Sequence, residues 1–199
     1  MLFPSTEDEV VREWVLAEVD SPRTGFRFDG LDHVLLRAPL EDVKGCAYRR
    51  KHLGEQRGWR RNTFMFVNFP TDVSWWHVEL DASDTVLTIN HQDFLALTDG
   101  SRRPSDFVVY KGDDGALVKG SVGMAESVEA CVRSLAGGGD LPPCIYASLG
   151  TVCGGSVSCT GPMVIIEGHG RAIAQASSTW RLERALLAVS PRMRDWLFY

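Results

Sequence analysis

The stretch MVIIEGHGRAIAQA at 163–176 constrains this chain more than any other. Met163 to Ile166 form a short continuous apolar run, rich in Ile and Val and preceded by Gly161-Pro162, which predicts a buried strand. Ala172, Ile173, Ala174, Gln175 and Ala176 favour helix. Between the two lie Glu167, Gly168, His169, Gly170 and Arg171, so the expectation is strand, tight polar turn, helix. Two glycines let the backbone take positive φ or approach a ligand closely. The first N–H groups of such a helix lack intrahelical partners and carry partial positive charge. Arg171 adds a planar fork of donors. Together these make a candidate anion site, and phosphate is the commonest biological anion of this kind. The alternative is a corner whose glycines serve backbone geometry alone. The spacing is neither a Walker loop nor Gly-x-Gly-x-x-Gly.

This segment resembles the signature turn of the ParB/sulfiredoxin-like superfamily, where a strand ends in Asp-Gly-His-His-Arg or Gly-Glu-Arg-Arg and a helix of small residues follows. Glu167, Gly168, His169 and Arg171 match, and Gly170 departs from the second His or Arg. Upstream, SVEACVRSL at 127–135, the glycine run at 137–139 and Leu-Pro-Pro-Cys-Ile-Tyr at 141–146 resemble the family's helix, glycine break and proline-led strand. The resemblance covers roughly 121–185 and implies an α+β (mixed α/β) fold with a single mixed sheet flanked by helices. It also implies nucleotide phosphates at the turn. Sulfiredoxin chemistry needs a cysteine in the turn, and there is none. A partitioning CTPase needs a helix-turn-helix domain beyond the signature, and too few residues follow Arg171. What the resemblance leaves is a nucleotide-dependent enzyme of the kinase type acting on a hydroxyl-bearing metabolite. Its cofactor would be ATP or another nucleotide with Mg, its phosphates held by Gly168, His169, Gly170 and Arg171, and its metal by Glu167. Glu41, Glu79, His77 and His169 are the candidate catalytic groups, with Glu41 or Glu79 as the base. Glu41 earns its place by following the first expected strand, where free serine kinases carry theirs.

A 199-residue chain that is 44% hydrophobic can bury a sizeable core, here expected as a single domain with an N-terminal helix and linker over 1–30 and a sheet-containing core over 31–199. There is no apolar run of transmembrane length, and the acidic start MLFPSTEDEV lacks the basic and apolar parts of a signal peptide. A cytoplasmic location follows, with no membrane partner. A net charge of −5 argues against nucleic acid as the main partner. Five cysteines, with no Cys-x-x-Cys among them, predict free thiols.

Along the chain, Thr6 with Glu9 three residues later predicts a capped helix start, with Val10, Val11, Trp14 and Val15 on its buried face. HVLLR at 33–37 and TFMFVNF at 63–69 are expected as strands. Between them runs the basic cluster Lys44, Arg49, Arg50, Lys51, His52, Arg57, Arg60 and Arg61, readable as a solvated helix face or as a clamp for an anionic ligand. SWWHVEL at 74–80 and DTVLTIN at 84–90 are strand-like. In the first of these, Trp76, Val78 and Leu80 are expected in the core, and Trp75, His77 and Glu79 on an exposed or cleft-lining face. Residues 91–97 suit a short helix, 107–118 a hairpin, 124–135 a helix and 144–149 a strand. A further strand over 152–158 would be hinged by Gly154-Gly155. The signature helix is expected to break near 177–179 and to resume over 180–189. The tail Trp196, Leu197, Phe198, Tyr199 is too apolar to stand free, so it should pack on the domain or form a homodimer contact. Two further readings stay open: a non-catalytic nucleotide- or metabolite-binding module, and a nucleotide-independent enzyme using His77 and Glu79 as acid and base.

Overall fold

The computed structural model describes residues 3–21, 24–80, 84–107, 121–177 and 183–199. The fold is α+β with one mixed sheet. Its strands are β1 (Phe3–Pro4), β2 (Ser74–Leu80), β3 (Val86–Leu87), β4 (Cys144–Cys153), β5 (Ser156–Glu167) and β6 (Glu183–Ser190), in the spatial order β1-β2-β6-β4-β5-β3. The β1–β2, β2–β6 and β4–β5 pairs are antiparallel, and β6–β4 and β3–β5 are parallel. Among the described residues six α-helices accompany it: α1 (Glu7–Val19), α2 (His33–Arg37), α3 (Val43–Arg57), α4 (Gln92–Leu97), α5 (Ser121–Ala136) and α6 (His169–Ser177).

Both faces of the sheet are covered. On one, Trp75, Ile145, Ala147, Val164, Ile166, Leu186 and Ala188 share a core with Val10, Val11, Trp14 and Val15 of α1. Leu36, Leu53, Trp59, Phe66, Met193 and Trp196 complete that core, so the N-terminal helix belongs to the same packing unit as the sheet. On the other face, Trp76, Val78, Leu80, Tyr146, Ile165, Ala185, Leu187 and Val189 pack with Ala172 of α6. Each fully buried large apolar side chain contributes about 1.5–3 kcal/mol. Trp75 is therefore core rather than cleft-lining, because α1 covers the face where it was expected to be exposed.

Thr6 caps α1 as expected, its hydroxyl accepting from the Glu9 N–H at 3.2 Å. The acidic face of α1 meets the basic run of α3 and the residues just after it. Asp8 pairs with Arg50, Glu18 with Arg57, and Glu7 with Arg60. Arg49, fully buried, donates to the carbonyls of Leu35, Leu36 and Ala38. Much of the basic cluster is thus consumed in fastening one helix to another.

Five expectations of secondary structure are corrected. His33–Arg37 is a helix, because the Asp32 carboxylate accepts from the Val34 and Leu35 N–H groups and starts a helical turn that Arg49 then closes. Residues 63–69 are not a strand but a tight loop around the 3-10 turn Phe64–Phe66, with Asn62 and Asn68 in the left-handed region. Gly154 and Gly155, both at positive φ, form a two-residue hairpin turn joining β4 to β5, with Cys153 paired to Ser156, instead of hinging one strand. Residues expected to resume the signature helix form β6, at the centre of the sheet. Ala185 to Val189 are all buried, so this strand shows no alternation, and Ala and Leu favour helix until a sheet flanks them on both sides. Of 84–90, only Val86–Leu87 is strand; beyond it Thr88 exchanges hydrogen bonds with Arg102. The hairpin expected over 107–118 and the helix break near 177–179 fall almost wholly outside the described residues.

Among the described residues no helix is long and apolar enough to cross a membrane. The tail packs on its own domain: Trp196 is buried, Phe198 and Tyr199 lie against the main core, and Leu197 is exposed. Tyr199 Oη accepts from the Leu149 N–H and donates to the Pro162 carbonyl, both at 3.0 Å.

Candidate functional site

The stretch at 163–176 folds as strand, turn and helix. β5 ends at Glu167, α6 begins at His169, and Gly168 between them sits at φ +96°. A side chain there would be strained and would also meet Cys144 Sγ at 2.7 Å and Arg171 Nη2 at 2.8 Å. Gly170 lies inside the first turn of α6, where α5 crosses closely enough that a Cβ would come within 2.6 Å of Ser127 Oγ. The glycine is thus needed for helix packing.

Arg171 folds back over this corner with its side chain only 11% exposed. It donates to the Pro143 carbonyl at 3.3 Å and lies 3.5 Å from a Glu167 carboxylate oxygen. Burial works to lower its pKa, but the Glu167 carboxylate and the neighbouring Cys144 outweigh this and hold it above its ordinary value. The second Glu167 oxygen accepts from the Gly168 N–H. The anion gathered by the turn is therefore the chain's own carboxylate. With one oxygen on a backbone donor and the other beside a guanidinium, Glu167 does not fit a nucleotide-bound magnesium, and among the described residues no cluster of three or more His, Cys, Asp or Glu suits a metal. Arg171 Nε is buried without a hydrogen-bond partner. His169, also buried, stacks on Phe94 with ring centroids 4.1 Å apart.

The candidate acid–base residues lie elsewhere. His77 Nε2 is 3.0 Å from Glu9 Oε2, and its ring stacks on Phe3. Across the sheet His77 pairs with Leu186, Leu186 with Ile145, and Ile145 with Glu167. Three interstrand steps of about 4.8 Å thus put the His77 backbone about 14 Å from the turn. Glu79 is exposed, one step further along β2 on the same side. Glu41 is exposed in the connection between α2 and α3, and since the element before it is a helix, it loses the strand-end placement that recommended it as a base.

The structure forms a groove at another place. A cleft of about 180 Å³ is lined by Trp59, Arg60, Asn62, Phe66, Phe69 and Thr71. A second, more open one of about 420 Å³ is lined by Asn68, Phe69, Pro70, Thr71, Arg192 and Asp195. They share Phe69 and Thr71, so they adjoin, an aromatic cleft beside a polar one, and are treated together as one groove with two ends. Three residues of its wall sit at positive φ without being glycine, Arg60 at 57°, Asn62 at 51° and Asn68 at 58°, and so does Phe64 in the same loop at 50°. Asparagine tolerates this region, whereas Arg60 and Phe64 each cost roughly 1–2 kcal/mol there. The loop is held in that shape from both sides. Asn62 Oδ1 accepts from the Asn68 N–H at 2.6 Å, Trp196 Nε1 donates to the Met65 carbonyl at 2.7 Å, and the Leu197 N–H to the Val67 carbonyl at 3.1 Å.

At the aromatic end Trp59 packs face to face with Trp75 and edge-on to Phe66, and Phe66 meets Phe69 edge-on. Arg60 lies over the Trp59 ring at 6.0 Å and is engaged by Glu7 through bonds of 3.1 and 2.6 Å. Burial works to raise the Glu7 pKa, but Arg60 and the Trp59 N–H more than offset it and hold the carboxyl below its usual range. The sequence does not reveal this groove, because Phe66 and Phe69 sit in a run that reads as a strand and Trp59 in a basic stretch. The available signal was the pair Asn62 and Asn68, which bracket the run and favour left-handed backbone.

Comparison with family models, with curated proteins and with solved structures returns no match, so the ParB/sulfiredoxin-like resemblance rests on the segment itself.

Proposed function

We propose that this chain is a metabolite-binding module whose ligand lies in the groove between the 59–71 loop and the 192–195 turn. The observation that carries the reading is the strained backbone in the groove wall: Arg60 is held at positive φ, with Asn62 and Asn68, around a preformed aromatic cleft. Strain of this kind persists where the surrounding structure imposes it, and such sites cluster at ligand clamps. The aromatic end is slightly larger than the cavity of about 150 Å³ that admits one benzene ring. A ring-bearing small molecule fits it, with polar groups directed to the open end.

The test is a thermal melt against ring-bearing metabolites, repeated with Thr71→Trp, which fills the groove from an exposed position. Ring compounds should raise the melting temperature of the parent. Thr71→Trp should melt like the parent alone and no longer respond. A response that survives Thr71→Trp would refute the assignment.

A second reading keeps a nucleotide phosphate at Gly168, Gly170 and Arg171, as in a kinase-type phosphotransferase. It is favoured by the buried Arg171 Nε that lacks a partner, and it requires the phosphate to displace Glu167. ATP, ADP and CTP in the same melts, with and without Mg²⁺, test it. Stabilisation lost in Arg171→Ala and only partly restored in Arg171→Lys would support it, and no response from the parent would reject it.

A further inference from the structure

The two ends of the groove differ in chemistry, and this narrows the ligand. Among the described residues, Arg60 is the only charged side chain lining the aromatic end, and it is already bound by Glu7 through two hydrogen bonds. The wall that a ring would touch is Trp59, Phe66 and Phe69. The open end carries one cation and one anion side by side, with Arg192 Nε 3.1 Å from Asp195 Oδ2. Both are more than half exposed, so this pair contributes little to stability and is cheap to open.

The backbone presenting that pair is nevertheless fixed. Met193 and Trp196 anchor the turn in the core. The Arg192 N–H donates to Ser190 Oγ at 3.0 Å, and Ser190 Oγ donates to Asp72 Oδ1 at 2.9 Å. The Asp195 N–H donates to the Arg192 carbonyl at 2.9 Å, which holds the two side chains on one turn. Two opposite charges on a rigid support, next to a slot of single-ring size, match a molecule whose own opposite charges sit on one carbon beside an aromatic group.

Resting on the groove as the binding site, we infer that the ligand is an aromatic zwitterion of the α-amino acid type. Its ring lies among Trp59, Phe66 and Phe69. Its carboxylate pairs with Arg192, and its ammonium pairs with Asp195. The ligand replaces one exposed intramolecular pair with two, so the charge balance of the groove is unchanged on binding. An acid without the ammonium would leave Asp195 without its guanidinium partner, and an amine without the carboxylate would leave Arg192 so.

Calorimetric titration with L-phenylalanine, L-tryptophan, phenethylamine, 3-phenylpropanoate and benzyl alcohol tests this. The zwitterions should bind about tenfold tighter than the amine or the acid, the effect of one charged contact at an exposed rim. Benzyl alcohol should be weaker still. Arg192→Gln should abolish the preference for L-phenylalanine over phenethylamine, and Asp195→Asn the preference over 3-phenylpropanoate. Both positions are exposed, and unchanged melts without ligand verify the fold. Equal binding of benzyl alcohol and L-phenylalanine, or of the acid and L-phenylalanine, overturns the zwitterion inference and leaves the groove standing. Absence of binding by every ring compound removes the groove reading together with it.

Discussion

Arg49→Met is the sharpest test of how the helical layer is held. The guanidinium is fully buried, and one nitrogen, Nη1, serves the carbonyls of Leu35, Leu36 and Ala38 at 3.2, 3.3 and 2.8 Å. A second, Nη2, reaches Cys46 Sγ at 3.3 Å, while Nε has no hydrogen-bond partner. These carbonyls are the open end of α2, a five-residue helix too short to stand alone. Two effects compete. Burying a guanidinium costs several kcal/mol, which methionine would recover. Against this, methionine removes the Arg49 donor from the Leu36 and Ala38 carbonyls, at about 1–3 kcal/mol for each that water cannot reach, while the Leu35 carbonyl keeps the Ala38 N–H at 3.4 Å. The Leu36 and Ala38 bonds are buried and the Leu35 bond is partly so. The orphaned acceptors should therefore prevail, with a net loss of about 1–3 kcal/mol. For a domain of this size that corresponds to a fall of about 2–12 °C in melting temperature. Arg49→Lys should lie between, since one ammonium cannot copy the fork. Scanning calorimetry on both variants decides it, and an Arg49→Met protein as stable as the parent would refute the account.

Deleting residues 196–199 removes the buried Trp196 ring, its bond to Met65, and the Tyr199 hydroxyl that bridges Leu149 and Pro162; urea titration should show a loss of at least about 3 kcal/mol. Because the Glu7 carboxyl sits below its usual range, the stability it contributes is present above the unfolded glutamate value and is lost as pH falls through the lower folded value. Glu7→Gln should therefore flatten the acid limb of the melting-temperature profile below about pH 4.5 and leave its alkaline limb unchanged.

The elements legible in the sequence were those whose signal is local. Thr6 with Glu9, the glycine run after α5 and the apolar run before Gly168 all act within a few residues, and α1, the end of α5 and the β5–α6 corner stand where they were expected. The misread elements are governed by distant partners. Asp32 and Arg49 together turn 33–37 into a helix. Trp196 and Leu197, far along the chain, hold 63–69 as a loop. For β6, a sheet on both sides overrides the helix preference of its Ala and Leu residues. The same distinction applies to the sites. The glycine turn was visible as a motif, but the sequence did not show that Glu167 would engage Arg171 or that Ser127 would lie against Gly170. The groove has no motif, because its walls come from segments about 120 residues apart and acquire chemistry only where they meet.

The placement of β6 also sets an order of events during synthesis. It is the last of the six strands along the chain, yet it is the seam between β2 and β4, pairing Ser74 with Val189 on one side and Cys144 with Ala185 on the other. While the ribosome is still producing the segment before it, the β4–β5 hairpin can close through its two-residue turn and α1 can dock on α3, since those contacts are already in hand. The sheet cannot join. Until 183–190 leaves the exit tunnel, β2 and β4 each present an unpaired edge, the feature that invites association with other nascent chains. Closing contacts across so much chain is also slow. A chain halted before 183 would thus hold both edges open to pairing with another strand.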